Sequence, residues 1–314
     1  MSVITATSPR SLIAVVRDYG SLFKLRIVLL LDATAVGVMI PAAQGHPRVG
    51  AVVAVLAGGT LAAGGAHAIN CWFDRDIDAE MTRTRRRPLP AGRIPPWHAL
   101  VIGILMNVLA FAVLWAGANL LAAALALAGT MIYVFVYTIL LKRNTPHNIV
   151  IGGAAGAVPP LVGWAAATGH LDATALALFG VIFFWTPPHF WALAQMIKTD
   201  YARANVPMLP VVAGGTRSAK RQSIVYAVLT AAVSVVPFFT GKAGAIYLAG
   251  AVVLGLGLVA ITVLDLLYGV PANSRRSLGV RGVKKRGWTR RVFTYSITYV
   301  ALLFILFAFS PFVP

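Results

Sequence analysis

Asn70, Asp74 and Asp78 stand at i, i+4 and i+8. A helix running through them stacks one amide and two carboxylates on a single face. Stacked like charges cost free energy, and a cation held between them offsets that cost. Hard oxygen donors suit Mg²⁺, which keeps several waters and binds through carboxylates together with substrate phosphates. Four of the nine acidic residues fall between Asp74 and Glu80; Asp76 projects elsewhere on such a helix and is the weaker ligand. Directly after come Thr82, Arg83, Thr84, Arg85, Arg86, Arg87 and Pro88. A guanidinium fork matches phosphate oxygens in shape and charge. Carboxylates for a metal beside arginines for phosphate read as a cradle for a diphosphate–metal complex, which Lys142 and Arg143 could join from a later loop. The competing reading is a solvated helix end paired with its own arginines, some of them membrane anchors only. Acids at membrane depth are usually functional, which argues for the cradle.

A second segment runs from Trp185 to Pro210. Pro187 and Pro188 predict a kinked or interrupted helix of the kind that lines cavities. His189 could accept a proton, ligate a haem iron, or be a hydrogen-bonded interior residue. Asp200 is a second metal or diphosphate contact with Arg203 as its partner, unless the two simply pair across one turn. His67, nearly one turn before Asn70, borders the same cavity. Asp32 is an isolated acid expected to pair with an interior polar group, and Asp265 is expected at an interface near a helix end. The single cysteine, Cys71, is expected to pack; it excludes a disulfide framework and a cysteine zinc site.

The elements that must position these residues are membrane helices. Of 314 residues, 59% are hydrophobic and 11% charged, with a mean hydropathy of +0.80; soluble domains carry about 25% charged residues. That balance excludes an ordinary soluble enzyme and a disordered chain. The net charge of +18 and pI near 10.9 would suit nucleic acid, but the basic residues lie between long apolar runs, so the partner is a lipid bilayer and not nucleic acid. Nine runs are long enough to span it: 24–43, 50–71, 97–117, 119–141, 148–168, 173–197, 222–240, 243–267 and 291–312. Residues 1–23 form a cytoplasmic N-terminal segment without a cleavable signal, and 24–314 one intramembrane domain. With the N-terminus in the cytoplasm, only Arg48 and Lys242 of the 27 basic residues fall on the far side. So lopsided a split fits the positive-inside rule and puts the C-terminus on the far, periplasmic side. The basic 275–291 stretch is expected to attract anionic lipid heads. Arg outnumbers Lys, which reads as a bacterial inner membrane ahead of a mitochondrial one.

The string from Asn70 to Asp78, followed by Arg83-Thr-Arg-Arg-Arg87-Pro88-Leu-Pro, resembles the first aspartate-rich motif of the UbiA superfamily of intramembrane prenyltransferases. Three further strings resemble that superfamily's haem-farnesylating branch: Tyr137 to Gly153 (through Lys142 and Pro146), Trp185-Thr-Pro-Pro-His189-Phe-Trp, and Asp200-Tyr201-Ala-Arg203 through Pro207-Met-Leu-Pro-Val211. The resemblance runs from about Lys24 to the last helix. It implies an all-α, UbiA-like bundle of nine transmembrane helices around a central cavity, and transfer of a farnesyl group from farnesyl diphosphate to the 2-vinyl group of haem b with addition of water. Haem b is then a substrate, not a resident cofactor. Mg²⁺ would be held by Asn70, Asp74, Asp78 and Asp200, and the diphosphate by Arg83, Arg87, Lys142, Arg203 and Tyr201. His189 would orient the haem or manage a proton, and a haem A synthase is an implied partner. Most of the superfamily has a second aspartate pair on the sixth helix and its loop; here only Asp200 is acidic, which argues against a symmetric second metal site. The nearest alternative is an aromatic quinone precursor as acceptor. A transporter with a cation site would need no diphosphate cradle, and the signature of CDP-alcohol phosphotransferases does not occur.

Overall fold

The computed structural model describes residues 11–269 and 287–312. Arg10, most of the basic 275–291 stretch (up to Arg286) and the end at Val313–Pro314 lie outside the described residues, so their expected topology and lipid contacts have no structural counterpart. Every described element is helical: α1 (Leu12–Leu22), α2 (Leu25–Ala42), α3 (Val49–Phe73), α4 (Arg75–Glu80), α5 (Pro96–Gly117), α6 (Leu120–Met131), a π-helix continuing it (Ile132–Leu141), α7 (Asn148–Thr168), α8 (Ala173–Met196), α9 (Lys198–Arg203), α10 (Gly215–Ser234), α11 (Val236–Phe239), α12 (Ala245–Tyr268) and α13 (Trp288–Phe309), closed by a 3₁₀ turn. Among the described residues, nine helices are long and apolar enough to cross a membrane. An apolar run in lipid must satisfy its backbone internally, and a helix does so within one segment. Starts follow local chemistry: Asn119 and Asp172 cap α6 and α8 through their side chains, and Pro96 opens α5.

Helices α2, α3, α5, α6 and α7 pack as one group and α8, α10, α12 and α13 as another; α2 and α7 meet α13 and α8 where the groups join. Met39, Val55 and Leu114 fill the first core, and Trp164, Leu178, Tyr247 and Phe307 fill the second. Leu29, Leu105, Val253 and Leu256 stay exposed, as lipid-facing residues should. Helices α3 and α5 touch back to back: a methyl group on Gly65 or Gly103 would come within 2.7 Å of the other's carbonyl oxygen, so only glycine permits this approach. Asp32 finds its interior partner in Thr60, whose hydroxyl donates at 2.6 Å.

Two expectations are corrected. The seventh span begins at Gly215, not 222: Lys220 turns inward and donates to the Asp265 carboxylate (3.2 Å), the Asp265 carbonyl (2.9 Å) and the Gly269 carbonyl (3.0 Å), so a basic first turn is accommodated. Asp265, near the end of α12, is buried in this contact and also accepts from Thr289 at 2.8 Å. Finally, α8 runs through Pro187 and Pro188 without interruption; packing against α7 and α10 holds a helix that proline alone would break.

The expected boundary at residue 24 falls on the break between α1 and α2, where Lys24 takes a left-handed backbone (φ 50°, ψ 48°). Helix α1 is tied to the later chain: Arg93 forks onto Asp18 at 2.8 and 3.1 Å, and Tyr19 meets His98.

Candidate active site

The site begins where α3 ends. Helical bonding continues through the break at Asp74, from its amide to the Asn70 carbonyl (2.9 Å) and from the Asp78 amide to the Asp74 carbonyl (2.8 Å). The expected stack of Asn70, Asp74 and Asp78 therefore survives the change from α3 to α4, and all three residues are buried. The Asn70 amide donates to Asp74 Oδ2 (2.7 Å) and to the Thr138 hydroxyl (3.1 Å), and its oxygen accepts from Lys24 Nζ (3.1 Å). The Lys142 ammonium pairs with Asp74 Oδ2. Asp74 Oδ1 is buried without a hydrogen-bond partner, 3.6 Å from Arg143 Nη2. Arg87 donates to Asp78 Oδ2 at 2.7 Å.

Two residues of this constellation escaped the sequence reading in any role beyond charge or topology. Lys24 counts there only as a positive-inside charge; the sharp left-handed turn before α2 sends its ammonium onto Asn70. Thr138 is delivered by the π-helix: its hydroxyl donates to the Tyr133 carbonyl (2.8 Å), and the Lys142 amide donates to the Tyr137 carbonyl (2.8 Å), both five residues back. The wide turns bring Thr138 and Lys142 onto α3; π-helical turns frequently occur at functional sites. Tyr137 is seated against Gly152, where any side chain would collide with its ring.

Arg143 keeps its ion pair with Asp74 Oδ1 and grips Asp76 at 2.6 and 2.7 Å, caps the Phe73 carbonyl at 3.1 Å and stacks over the Phe73 ring. Its fork holds Asp76 below the usual carboxylate range, and Asp76 stands outside the stack.

Asp200 is held by the turn that follows α4. Its two oxygens accept the backbone N–H groups of Thr82 (3.3 Å) and Arg83 (3.4 Å), and Arg203 lies 3.7 Å away. Burial pushes the Asp200 pKa up, but these bonds outweigh it and the net direction is down. Arg203 is half-exposed and donates to the Thr82 hydroxyl at 2.7 Å. Together they brace α9 against the start of the arginine-bearing turn. Arg83 is exposed on the turn after α4. Tyr201 lies where the charges of Arg83, Lys142 and Asp200 all act on its hydroxyl, and burial raises its pKa. Beneath these residues Ile77, Met81, Ile149, Trp191, Met208 and Leu209 form one apolar core, which gives the Pro207-Met-Leu-Pro string a packing role.

His189 does not reach the acidic stack through any of its contacts. Nδ1 lies 2.8 Å from the Ser296 hydroxyl on α13, and the ring is sandwiched between Trp185 (4.4 Å) and Phe293 (4.7 Å). Trp185 donates to the Ser296 carbonyl at 2.7 Å. His189 is thus set in the α8–α13 seam. His67 lies on the stack's own helix, with Nδ1 3.2 Å from the Tyr133 hydroxyl.

Comparison with known proteins agrees with this geometry. The UbiA prenyltransferase family matches residues 30–283. The chain is 49% identical over 291 residues to a protoheme IX farnesyltransferase of Symbiobacterium thermophilum, covering 93% of each. It is 50% identical over 292 residues to one of Gloeobacter violaceus, covering 93% of this chain and 91% of the relative. A protoheme IX farnesyltransferase of Roseiflexus is 48% identical, and the chain spans only about half (52%) of its length. Among solved structures, digeranylgeranylglyceryl phosphate synthase superposes with a TM-score of 0.75 at 15% identity, covering 94% of this chain and 98% of the other. A UbiA homologue from Archaeoglobus fulgidus bound to DMAPP and Mg²⁺ superposes at 0.63 and 19% identity, with the same coverage. With its nine spans, its aspartate stack and these relatives, the chain belongs to the UbiA prenyltransferase family.

Proposed function

We propose that this membrane protein transfers the farnesyl group of farnesyl diphosphate to the 2-vinyl group of haem b, with addition of water, to give haem O and diphosphate. The observation that carries the reading is the constellation of buried Asn70, Asp74 and Asp78 with half-buried Lys24, Lys142 and Arg87 upon them, in a chain about half identical to protoheme IX farnesyltransferases. The bacterial inner membrane, with the arginine-bearing loops in the cytoplasm, is the proposed setting, and a haem A synthase is the proposed consumer of the product.

Asn70, Asp74 and Asp78 suit a hard divalent cation. They are oxygen donors, and Asp74 Oδ1 is a buried carboxylate oxygen lacking a hydrogen bond. Mg²⁺, when bound there, supplies charge neutralisation to the leaving diphosphate. Lys142, Arg143 and Arg87 now neutralise the carboxylates; with substrate present they turn part of that positive charge to the phosphate oxygens, joined by Arg83 and by the Tyr201 hydroxyl. Donors already held in place stabilise the charge that develops as the allylic C–O bond breaks. Asp200 and Arg203 act by holding Thr82 and Arg83. The apolar helix walls keep bulk water from the allylic cation until the vinyl group has attacked it. His189, with Trp185 and Phe293, is assigned to the porphyrin side.

Membranes given radiolabelled farnesyl diphosphate, with haem b and 4-hydroxybenzoate offered separately, test the reading. Labelled haem O is expected; labelled 4-hydroxybenzoate with unlabelled haem would sink it.

A further inference from the structure

We infer that His67 positions the water that enters this reaction and takes its proton, a role that rests on the reaction proposed above. His67 and Asn70 lie at i and i+3 of α3 and Asp74, at i+7, is its C-terminal cap, so the imidazole stands on the stack's own face, one turn deeper into the membrane. Its orientation is determined from behind. Nδ1 meets the Tyr133 hydroxyl at 3.2 Å, the two rings stand edge to face at 5.3 Å, Tyr133 stacks on Tyr137 at 5.7 Å, and Tyr137 is lodged against Gly152. Nε2 is left over: it is buried without a hydrogen-bond partner, in a residue only 8% exposed. A buried polar atom without a partner calls for an explanation, and a catalytic role or a water is the usual one. Asn70, one turn further along the helix, accepts from Lys24, and Asp78 accepts from Arg87. The imidazole with the unpartnered nitrogen therefore stands one turn below the residues proposed to hold the metal and diphosphate.

The chemistry needs such a group once. Heterolysis leaves both electrons of the C–O bond on the diphosphate. The vinyl π pair then bonds the farnesyl carbon, and the positive charge moves to the carbon beside the porphyrin. A water oxygen bonds that carbon, one O–H bond breaks, and its proton goes to Nε2. With Nδ1–H donating to the Tyr133 oxygen, Nε2 presents the lone pair this requires. Without an oriented water, the same cation loses a proton from the adjacent CH₂ and gives a conjugated alkene lighter by one water. His189 is placed differently, since its Nδ1 is tied to Ser296 in the α8–α13 seam.

The test is product partition. Wild-type protein, His67→Phe and His67→Gln are incubated with Mg²⁺, farnesyl diphosphate and haem b; diphosphate release is followed, and extracted porphyrins are resolved by mass. In His67→Phe, diphosphate release should stay within about threefold of wild type while the ratio of dehydrated to hydrated product rises at least about tenfold, the scale of a lost acid–base group. His67→Gln can orient a water but is a poor base, and should fall between; it carries the same reading if the Phe variant misfolds. An unchanged product ratio in both variants overturns the inference alone, as does an equal loss of release and both products in proteins of unchanged thermal stability. Absence of any farnesylated haem from wild-type protein overturns the reaction reading, and this inference with it.

Discussion

Asp74 is the most constrained side chain of the site. One oxygen accepts from Asn70 and Lys142, and the other is buried without a hydrogen bond. Asp74→Asn keeps the shape but removes the charge that both a metal and Lys142 require. Diphosphate release at saturating Mg²⁺ should fall about 10²–10³-fold, the scale of a lost electrostatic stabiliser, with the melting temperature in detergent little changed; substantial remaining turnover would refute the metal role. Lys24 makes a charge-assisted bond to Asn70, and such bonds contribute about 1.5–3 kcal/mol. Lys24→Met should therefore lower kcat/KM for farnesyl diphosphate roughly 10- to 100-fold, a loss that steady-state kinetics would measure. His189→Ala should reduce haem consumption more than farnesyl diphosphate binding, which isothermal binding of a non-hydrolysable farnesyl analogue would separate.

At the scale of elements, the arginine-bearing turn after α4 has little regular structure of its own and depends on its braces. Thr84 donates to the Asp78 carbonyl at 2.8 Å, and Asp200 accepts from the Thr82 and Arg83 amides. Asp200→Ala leaves two backbone donors without their acceptor, at a cost of about 1–3 kcal/mol, and amide exchange at Thr82 and Arg83 should accelerate before any global unfolding. The pH dependence has a definite sign. The folded-state pKa of Asp200 is depressed, so its contribution is fully present above the ordinary carboxylate value of about 3.9 and is lost as pH falls through the lowered value. Protection of those two amides, corrected for intrinsic exchange, should hold from neutral pH to about 5 and disappear only below the ordinary value; loss already near pH 6 would contradict the brace.

At the scale of the whole molecule, the second helix group is locked at its basic end by Lys220 and Asp265, each about 95% buried and linking α10, α12 and, through Thr289, α13. Removing one partner leaves a buried charge unmatched. Lys220→Met or Asp265→Ala alone should destabilise the protein by about 3–5 kcal/mol, whereas Lys220→Met with Asp265→Leu should recover much of it; denaturation of the three variants in detergent would measure the difference. Equal losses in single and double variants would mean that shape, not charge, holds this joint.

The number and order of spanning helices were legible in the sequence because long apolar runs have one stable form in lipid, and each can be recognised without knowing its neighbours. The Asn70–Asp74–Asp78 face was legible for the same reason: helical periodicity places side chains locally, even across the break at Asp74. That Asp200 accepts two backbone amides and Arg203 meets Thr82 was not legible, because partners more than a hundred positions away leave no mark on local spacing. Nor was the continuity of α8 through two prolines, the π-helix that delivers Thr138 and Lys142, or the left-handed turn that sends Lys24 onto Asn70. These depend on contacts between residues 46 to 118 positions apart, and only the packed chain brings such partners together. The sequence by itself determined a membrane bundle with an acidic face; the tertiary structure decided which cations, amides and imidazole meet that face, because long-range packing, not local periodicity, selects a side chain's partner.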